Sequence, residues 1–209
     1  MSRITSTLAH FWHTIVILAA IGLLLGVVLS FLQPLEYSST VRLLIVQQLG
    51  AVDAYTAGRS AERVADDIIN VVYTTTFFDK VMAASTDINQ NYFPSDDQAR
   101  RKKWEKTVSA SVASGTGLLT LSIYHTDVKQ AELIARALSS VIVAEGWQYT
   151  SGGSINIQLI DEPLNSTWPV RPNIPLNAFA GLILGGLAGV GFVLLKAERI
   201  RRRHQLIHD

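Results

Sequence analysis

Residues 11–32 read FWHTIVILAAIGLLLGVVLSFL, and this run decides the fold class. No Asp, Glu, Lys or Arg occurs between Ile4 and Leu35. About 20 residues at about 1.5 Å each cover the roughly 30 Å hydrocarbon core of a bilayer, so the run has the length of a transmembrane helix. A second charge-free run extends from Pro172 to Leu195, with LNAFAGLILGGLAGVGFVLL at residues 176–195 as its core. Buried helices of soluble proteins seldom stay charge-free on every side for this length. A cleavable signal peptide has a shorter apolar region, roughly 7–15 residues, and an A-x-A-like site. The stretch SFLQPLEY, residues 30–37, has no such site. The first run therefore reads as an uncleaved anchor.

Composition and charge agree. The chain has 209 residues, 48% of them hydrophobic, and a mean hydropathy of +0.25. That value is high for a soluble protein and low for one embedded throughout, as expected if the apolar excess sits in two segments. Lys196, Arg199, Arg201, Arg202 and Arg203 follow the second run, and Arg3 precedes the first. Set against Glu198 and Asp209, they give the terminal segments about +4. The formal total is +1, which leaves about −3 for the middle. Basic flanks stay in the cytoplasm, so both termini are expected inside and the middle outside. His10, Trp12 and His13 at one boundary, and Trp168 at the other, suit the headgroup level. The chain has no cysteine, which excludes disulfides and Cys-based metal sites.

The middle, about 140 residues, can form one compact domain. Glu36 to Gln48 reads as a strand, with Val41, Leu43 and Ile45 alternating on one face. Leu49 to Arg59 is small and polar and reads as a loop. Ser60 is positioned to cap a helix to about Ser85, whose apolar residues Val64, Ile68, Val71, Val72, Phe78, Val81 and Met82 recur at helical spacing. Ser95, with Gln98 three residues on, resembles the capping box of a short helix. Thr107 to Ser114 and Leu118 to His125 read as strands joined by a tight turn at Gly115-Thr116-Gly117. Asp127 starts a second amphipathic helix to about Tyr149, with Ala131, Ile134, Leu138, Val141 and Ile142 on its apolar face. Gly152-Gly153 ends it, and Ser154 to Ile160 reads as a last strand. The order β-α-(short α)-β-β-α-β predicts an α+β, ferredoxin-like domain, with the first and last strands paired in the sheet centre.

The layout resembles the Wzz-type polysaccharide co-polymerases, or chain-length determinants, and the related membrane modulators of capsule tyrosine kinases. Three stretches carry the likeness: Tyr37 to Val46 just after the first run, the strands and helix from Thr107 to Ile160, and the approach Asp161-Glu162-Pro163 with Trp168-Pro169-Val170-Arg171-Pro172-Asn173-Ile174-Pro175. Pro169, Pro172 and Pro175 lie three apart, the period of polyproline II, which predicts a stiff strut with its rings on one edge. Pro175 also suits the first turn of a helix. The resemblance implies a bare form. No P-loop follows the second run, and the helical insert of the family's longer members shrinks to about Asp87–Lys106. The expected organisation is a cytoplasmic N-terminus (1–10), a transmembrane helix (11–32), the outer domain (33–168), the strut (169–175), a second transmembrane helix (176–195) and a basic tail (196–209).

Gly22 and Gly26, and Gly181, Gly185 and Gly189, form G-x-x-x-G ridges that let helices pack closely within or between subunits. Arg100, Arg101, Lys102, Lys103 and Lys106, with Trp104 among them, are candidates for contact with an anionic glycan or lipid headgroups, or are a solvated helix face. Lys196, Arg199 and Arg201 to Arg203 set topology or dock a cytoplasmic kinase. His204 and His208 have metal-ligand spacing but no third ligand. Asn165-Ser166-Thr167 is a sequon without an assigned role. No nucleophile can be placed beside His125, the lone histidine of the middle, and no catalytic residue, cofactor or nucleic-acid partner is expected.

The resemblance implies a non-enzymatic homo-oligomeric scaffold in the cytoplasmic (inner) membrane. It would regulate the chain length or export of a surface polysaccharide such as O-antigen, capsule or exopolysaccharide, with the polymerase or exporter and membrane lipid as partners. The alternatives are a modulator of a separate cytoplasmic tyrosine kinase, and an adaptor subunit of an unrelated transporter.

Overall fold

A computed structural model describes residues 11–48, 53–149 and 154–205. In chain order the elements are α1 (Trp12–Phe31), β1 (Tyr37–Gln48), α2 (Ala54–Val72), α3 (Thr75–Ala84), α4 (Asp97–Thr107), β2 (Val108–Val112), β3 (Leu118–His125), α5 (Val128–Glu145), β4 (Ser154–Asn165) and α6 (Ile174–Gln205). Short 3₁₀ turns lie at Gln90–Tyr92 and Gly146–Tyr149. The chain divides into two compact units, one built from its two ends and one from Glu36–Val170.

The first unit is the pair α1 and α6. The segments Trp12–Phe31 and Ile174–Arg199 are both long and apolar enough to cross a membrane, consistent with a two-pass membrane protein. Their large side chains point outward, Leu24 being 61% and Leu184 67% exposed. Apolar surface left in water costs about 25 cal/mol per Å², whereas hydrocarbon is a matching solvent for it. The two helices run antiparallel, Ile15 lying against Gly189 and Gly26 against Asn177.

The second unit is mixed α+β, built on one four-stranded sheet in the order β2-β3-β1-β4 with every neighbouring pair antiparallel. Period-two alternation explains its core. Val41, Leu43 and Ile45 of β1 and Leu119, Leu121 and Ile123 of β3 are fully buried. They meet Val64, Ala65, Ile68 and Val72 of α2, Phe77, Phe78 and Val81 of α3, and Ile134, Leu138 and Ile142 of α5. Trp104 of α4 completes the core and donates its Nε1–H to the Val72 carbonyl at 2.8 Å. Phe78, Phe93 and Trp104 pack edge to face with centroids 5.0–5.9 Å apart. On the opposite sheet face Arg42 and Val46 are exposed, and Thr40 and Ser122 share a hydroxyl hydrogen bond of 2.9 Å.

Several sequence expectations change. β1 is central but β4 lies at the sheet edge, where Leu159 is 44% and Ile160 50% exposed. The last strand also runs on to Asn165. The helix expected from Ser60 begins at Ala54, capped by Asp53, whose carboxylate accepts the Thr56 N–H at 3.0 Å. That bond also holds the Asp53 pKa below the ordinary aspartate value. Ser60 instead donates to Gln47. The helix then breaks at Tyr73-Thr74. Thr74 Oγ1 donates to the Val71 carbonyl at 2.7 Å and accepts the Phe77 N–H at 3.3 Å, ending α2 and capping α3 with one hydroxyl. Asp96, not Ser95, caps α4, its carboxylate accepting the Ala99 N–H at 2.8 Å. Thr107 closes α4, so the first hairpin strand spans only Val108–Val112.

The hairpin turn spans residues 113–117. Gly115 adopts φ +72°, the left-handed region that suits glycine, and its N–H donates to Glu62 at 3.0 Å. That bond first, and Arg59 beside it, hold the Glu62 pKa below the usual carboxylate value. Gly152-Gly153, expected to end the second helix, lies outside the described residues.

Candidate functional site

Of the residues singled out in the sequence, the glycines are brought together most closely. A Cβ added at Gly22 would lie 2.9 Å from the Gly185 Cα, and one at Gly189 would lie 2.9 Å from the Ile15 Cα. A Cβ at Gly185 would sit 3.1 Å from the Ala19 Cα, one at Gly26 would sit 3.3 Å from the Ala178 Cα, and one at Gly181 would sit 3.4 Å from the Gly26 Cα. These contacts are to backbone, which cannot rotate away as a side chain could. The two ridges thus face each other within one chain, where small residues allow dispersion contacts between helices in hydrocarbon.

Beside this seam lies a polar pair that the sequence reading passed over. Asn177 Nδ2–H donates to Ser30 Oγ at 2.9 Å, and Ser30 Oγ–H donates to the Gly26 carbonyl at 2.8 Å. Ser30 is 1% exposed. The available signal was a Ser and an Asn inside otherwise apolar runs, since a polar group in hydrocarbon needs a partner.

The proline segment is not a polyproline II strut. Ser166 N–H donates to the Ser38 carbonyl at 2.8 Å, Ser38 N–H to Ser166 Oγ at 2.9 Å, and Val170 N–H to the Glu36 carbonyl at 2.8 Å. Pro169 therefore lies in a stretch fastened to the start of β1. The chain bends at Pro172, after a cis Arg171–Pro172 peptide, and α6 begins at Ile174, placing Pro175 in its first turn. Asn173 Oδ1 accepts the Leu176 N–H there at 3.1 Å. Main-chain pairing and helix capping satisfy groups that polyproline II leaves to water.

The basic run does not form one patch. At about 100° per residue, α4 sends its cations to different sides. Arg100 pairs with Asp97 at 2.6 Å and lies 5.4 Å from the Phe78 ring centroid. Arg101 pairs with Glu105 at 3.3 Å, and Lys103 Nζ sits 4.0 Å from the Tyr92 ring centroid. Lys102 and Lys106 are exposed, and Trp104 is a core residue rather than a surface one.

In the tail, α6 continues through Lys196 and Arg199 to Gln205. Lys196 Nζ lies 5.2 Å from the Phe11 ring centroid. Arg201, Arg202, Arg203 and His204 are on this helix, but their side chains, and all of His208, lie outside the described residues. Asn165 of the sequon donates its Nδ2–H to Glu132 at 2.7 Å. That bond, and then Arg136, hold the Glu132 pKa below its ordinary value.

His125 is buried at the end of β3. Its Nδ1 accepts the Asp127 N–H at 2.9 Å, and its ring lies 4.0 Å from that of Tyr92. Burial pushes its pKa below the ordinary value, against the opposing pull of Asp127. The first contact holds the backbone of Asp127, whose own carboxylate caps α5. Among the described residues no cluster of three or more His, Cys, Asp or Glu is placed to hold a metal. No protein-family profile matches the chain, and no curated protein matches it.

Proposed function

We propose that the protein is a membrane-anchored, non-enzymatic scaffold of the chain-length determinant type. In this reading copies of the chain associate and regulate the length or export of a cell-surface polysaccharide. Both termini lie in the cytoplasm, and the Glu36–Val170 unit lies outside the inner membrane.

The observation that carries the reading is how the α+β unit begins and ends. β1 and β4 are neighbours, and Glu36 and Val170 are joined by a main-chain hydrogen bond of 2.8 Å. The unit therefore starts and finishes at one point, directly before and after two membrane-capable helices. A domain displayed from a two-helix anchor needs that arrangement. The order β2-β3-β1-β4 supports a ferredoxin-like description of the domain. The three-stretch resemblance supports this family among anchored domains.

The deciding experiment is surface glycan length and amount in a strain lacking the protein. A changed length distribution is expected, and an unchanged one removes the co-polymerase reading. The continuation of α6 through the basic residues favours one second reading, a helical tail that contacts a cytoplasmic tyrosine kinase. Deleting residues 196–209 while preserving insertion abolishes function in that case and spares it in the first. The adaptor reading has no observation of its own.

A further inference from the structure

Between α3, the turn at Gln90–Tyr92 and the start of α4 lies an open cavity of about 610 Å³. Its volume falls within the roughly 300–1,000 Å³ of small-molecule sites. Phe78, Met82 and Phe93 form an apolar floor, each less than a tenth exposed. Asp79, Gln90, Asn91, Ser95 and Arg100 form the rim.

The rim chemistry is mixed. Asp79 only accepts, Arg100 only donates, and the two amides and the hydroxyl do both. Among the described residues, the side chains of Asp79, Gln90, Asn91 and Ser95 make no hydrogen bond to protein. Arg100 uses one N–H on Asp97, and its Nε is buried without an acceptor. Asp97 and Asp79 offset the guanidinium, so the rim has no positive excess to draw an anion. A ligand suited to it is uncharged and rich in hydroxyls that both donate and accept, with one C–H face to rest on the floor. A hexose ring has those properties.

We propose that this cavity binds one neutral hexose unit of a glycan, with Asp79, Asn91 and Arg100 hydrogen-bonded to ring hydroxyls. The proposal rests on the polysaccharide reading for its biological sense and on the cavity for its chemistry.

The chain has two methionines, Met1 and Met82, so methyl-¹³C labelling places one reporter in the cavity floor. The full chain is held in phospholipid nanodiscs, which avoids sugar-headed detergents. It is titrated with neutral gluco-, manno- and galacto-hexasaccharides and with hexagalacturonate. At least one neutral hexasaccharide should shift the Met82 methyl saturably, with a Kd of about 1 mM. Asp79→Asn combined with Asn91→Ala should weaken that binding at least about tenfold, and Gln90→Ala should do so in part. The unliganded Met82 signal shows that each variant is folded.

No shift with any neutral hexasaccharide up to about 20 mM would overturn the proposal. So would binding of hexagalacturonate alone, or equal binding by the variants. The two readings fail separately. Hexose binding with unchanged glycan in the deletion strain leaves the site and removes the co-polymerase. Altered glycan without hexose binding does the reverse.

Discussion

Replacing Gly22 by alanine inserts one methyl group where α1 and α6 have no room for it. The new Cβ would lie 2.9 Å from the Gly185 Cα. Carbon–carbon contacts are optimal at about 3.5–4.0 Å, so the helices must part by about 1 Å at this level. Overpacking of this kind costs about 1–3 kcal/mol, which lowers the close-packed population roughly 5- to 150-fold. The absence of native cysteine makes the effect measurable. A Cβ at Gly186 lies 3.9 Å from that of Ala19, inside the roughly 3.5–4.5 Å that a disulfide requires. Ala19→Cys with Gly186→Cys should therefore cross-link within the chain when membranes are oxidised. Adding Gly22→Ala should slow that reaction at least about fivefold. Gly191→Ala is the control, because a Cβ there meets nothing within 4 Å. An unchanged rate with Gly22→Ala, or equal slowing by the control, refutes the close-packed seam.

Asn177→Ala removes the bond to Ser30. Intramembrane side-chain pairs average about 0.6 kcal/mol, so the same cross-linking rate should fall no more than about threefold. Trp104→Ala empties the centre of the α+β unit and leaves the Val72 carbonyl without its donor; about 3–5 kcal/mol should be lost, read as collapse of near-UV circular dichroism on heating. Gly115→Ala meets no atom yet must hold φ +72°, so about 1–2 kcal/mol should be lost, read as a lowered melting temperature. For His125, burial lowers the folded pKa below 6.5, so the unfolded chain binds the proton more readily. Its contribution is full above about pH 6.5 and declines as pH falls through the folded pKa. The melting temperature should thus drop between pH 7.5 and 5.5, and drop less in His125→Gln; Asp53, Glu62 and Glu132, all held below their ordinary values of 3.8 or 4.5, titrate below that window.

Those parts of the fold that depend on which solvent a face meets were legible in the chain. Twenty apolar residues without charge can be stable only in hydrocarbon or a large core, and α1 and residues 174–195 of α6 are such segments. The alternation of Val41, Leu43 and Ile45 marks a strand with one buried face, and the structure buries all three. Asp127 was readable as a cap because a polar side chain directly precedes an apolar face at helical spacing, and its carboxylate accepts the Lys129 N–H at 2.8 Å.

Choices between equally good local partners were not legible. Asp53 and Ser60 can both cap a helix; Asp53 does so, and residues 54–59 carry no apolar period that would reveal the extra turns. The run Thr74-Thr75-Thr76 sits inside what looks like one periodic helix, and only the double use of the Thr74 hydroxyl divides it. Three prolines at period three suit polyproline II until Val170 finds the Glu36 carbonyl across 134 residues, which no local pattern encodes. The candidate site divides along the same line. G-x-x-x-G states that a backbone can come close, not to whom, and the answer within this chain is that Gly22 faces Gly181 and Gly185. The cavity over Phe78 and Phe93 was hidden for a further reason. Its rim residues Asp79, Gln90, Asn91, Ser95 and Arg100 come from three elements and the bend before α4 and share no spacing, so their common chemistry exists only once α3 and α4 have packed around the aromatic floor.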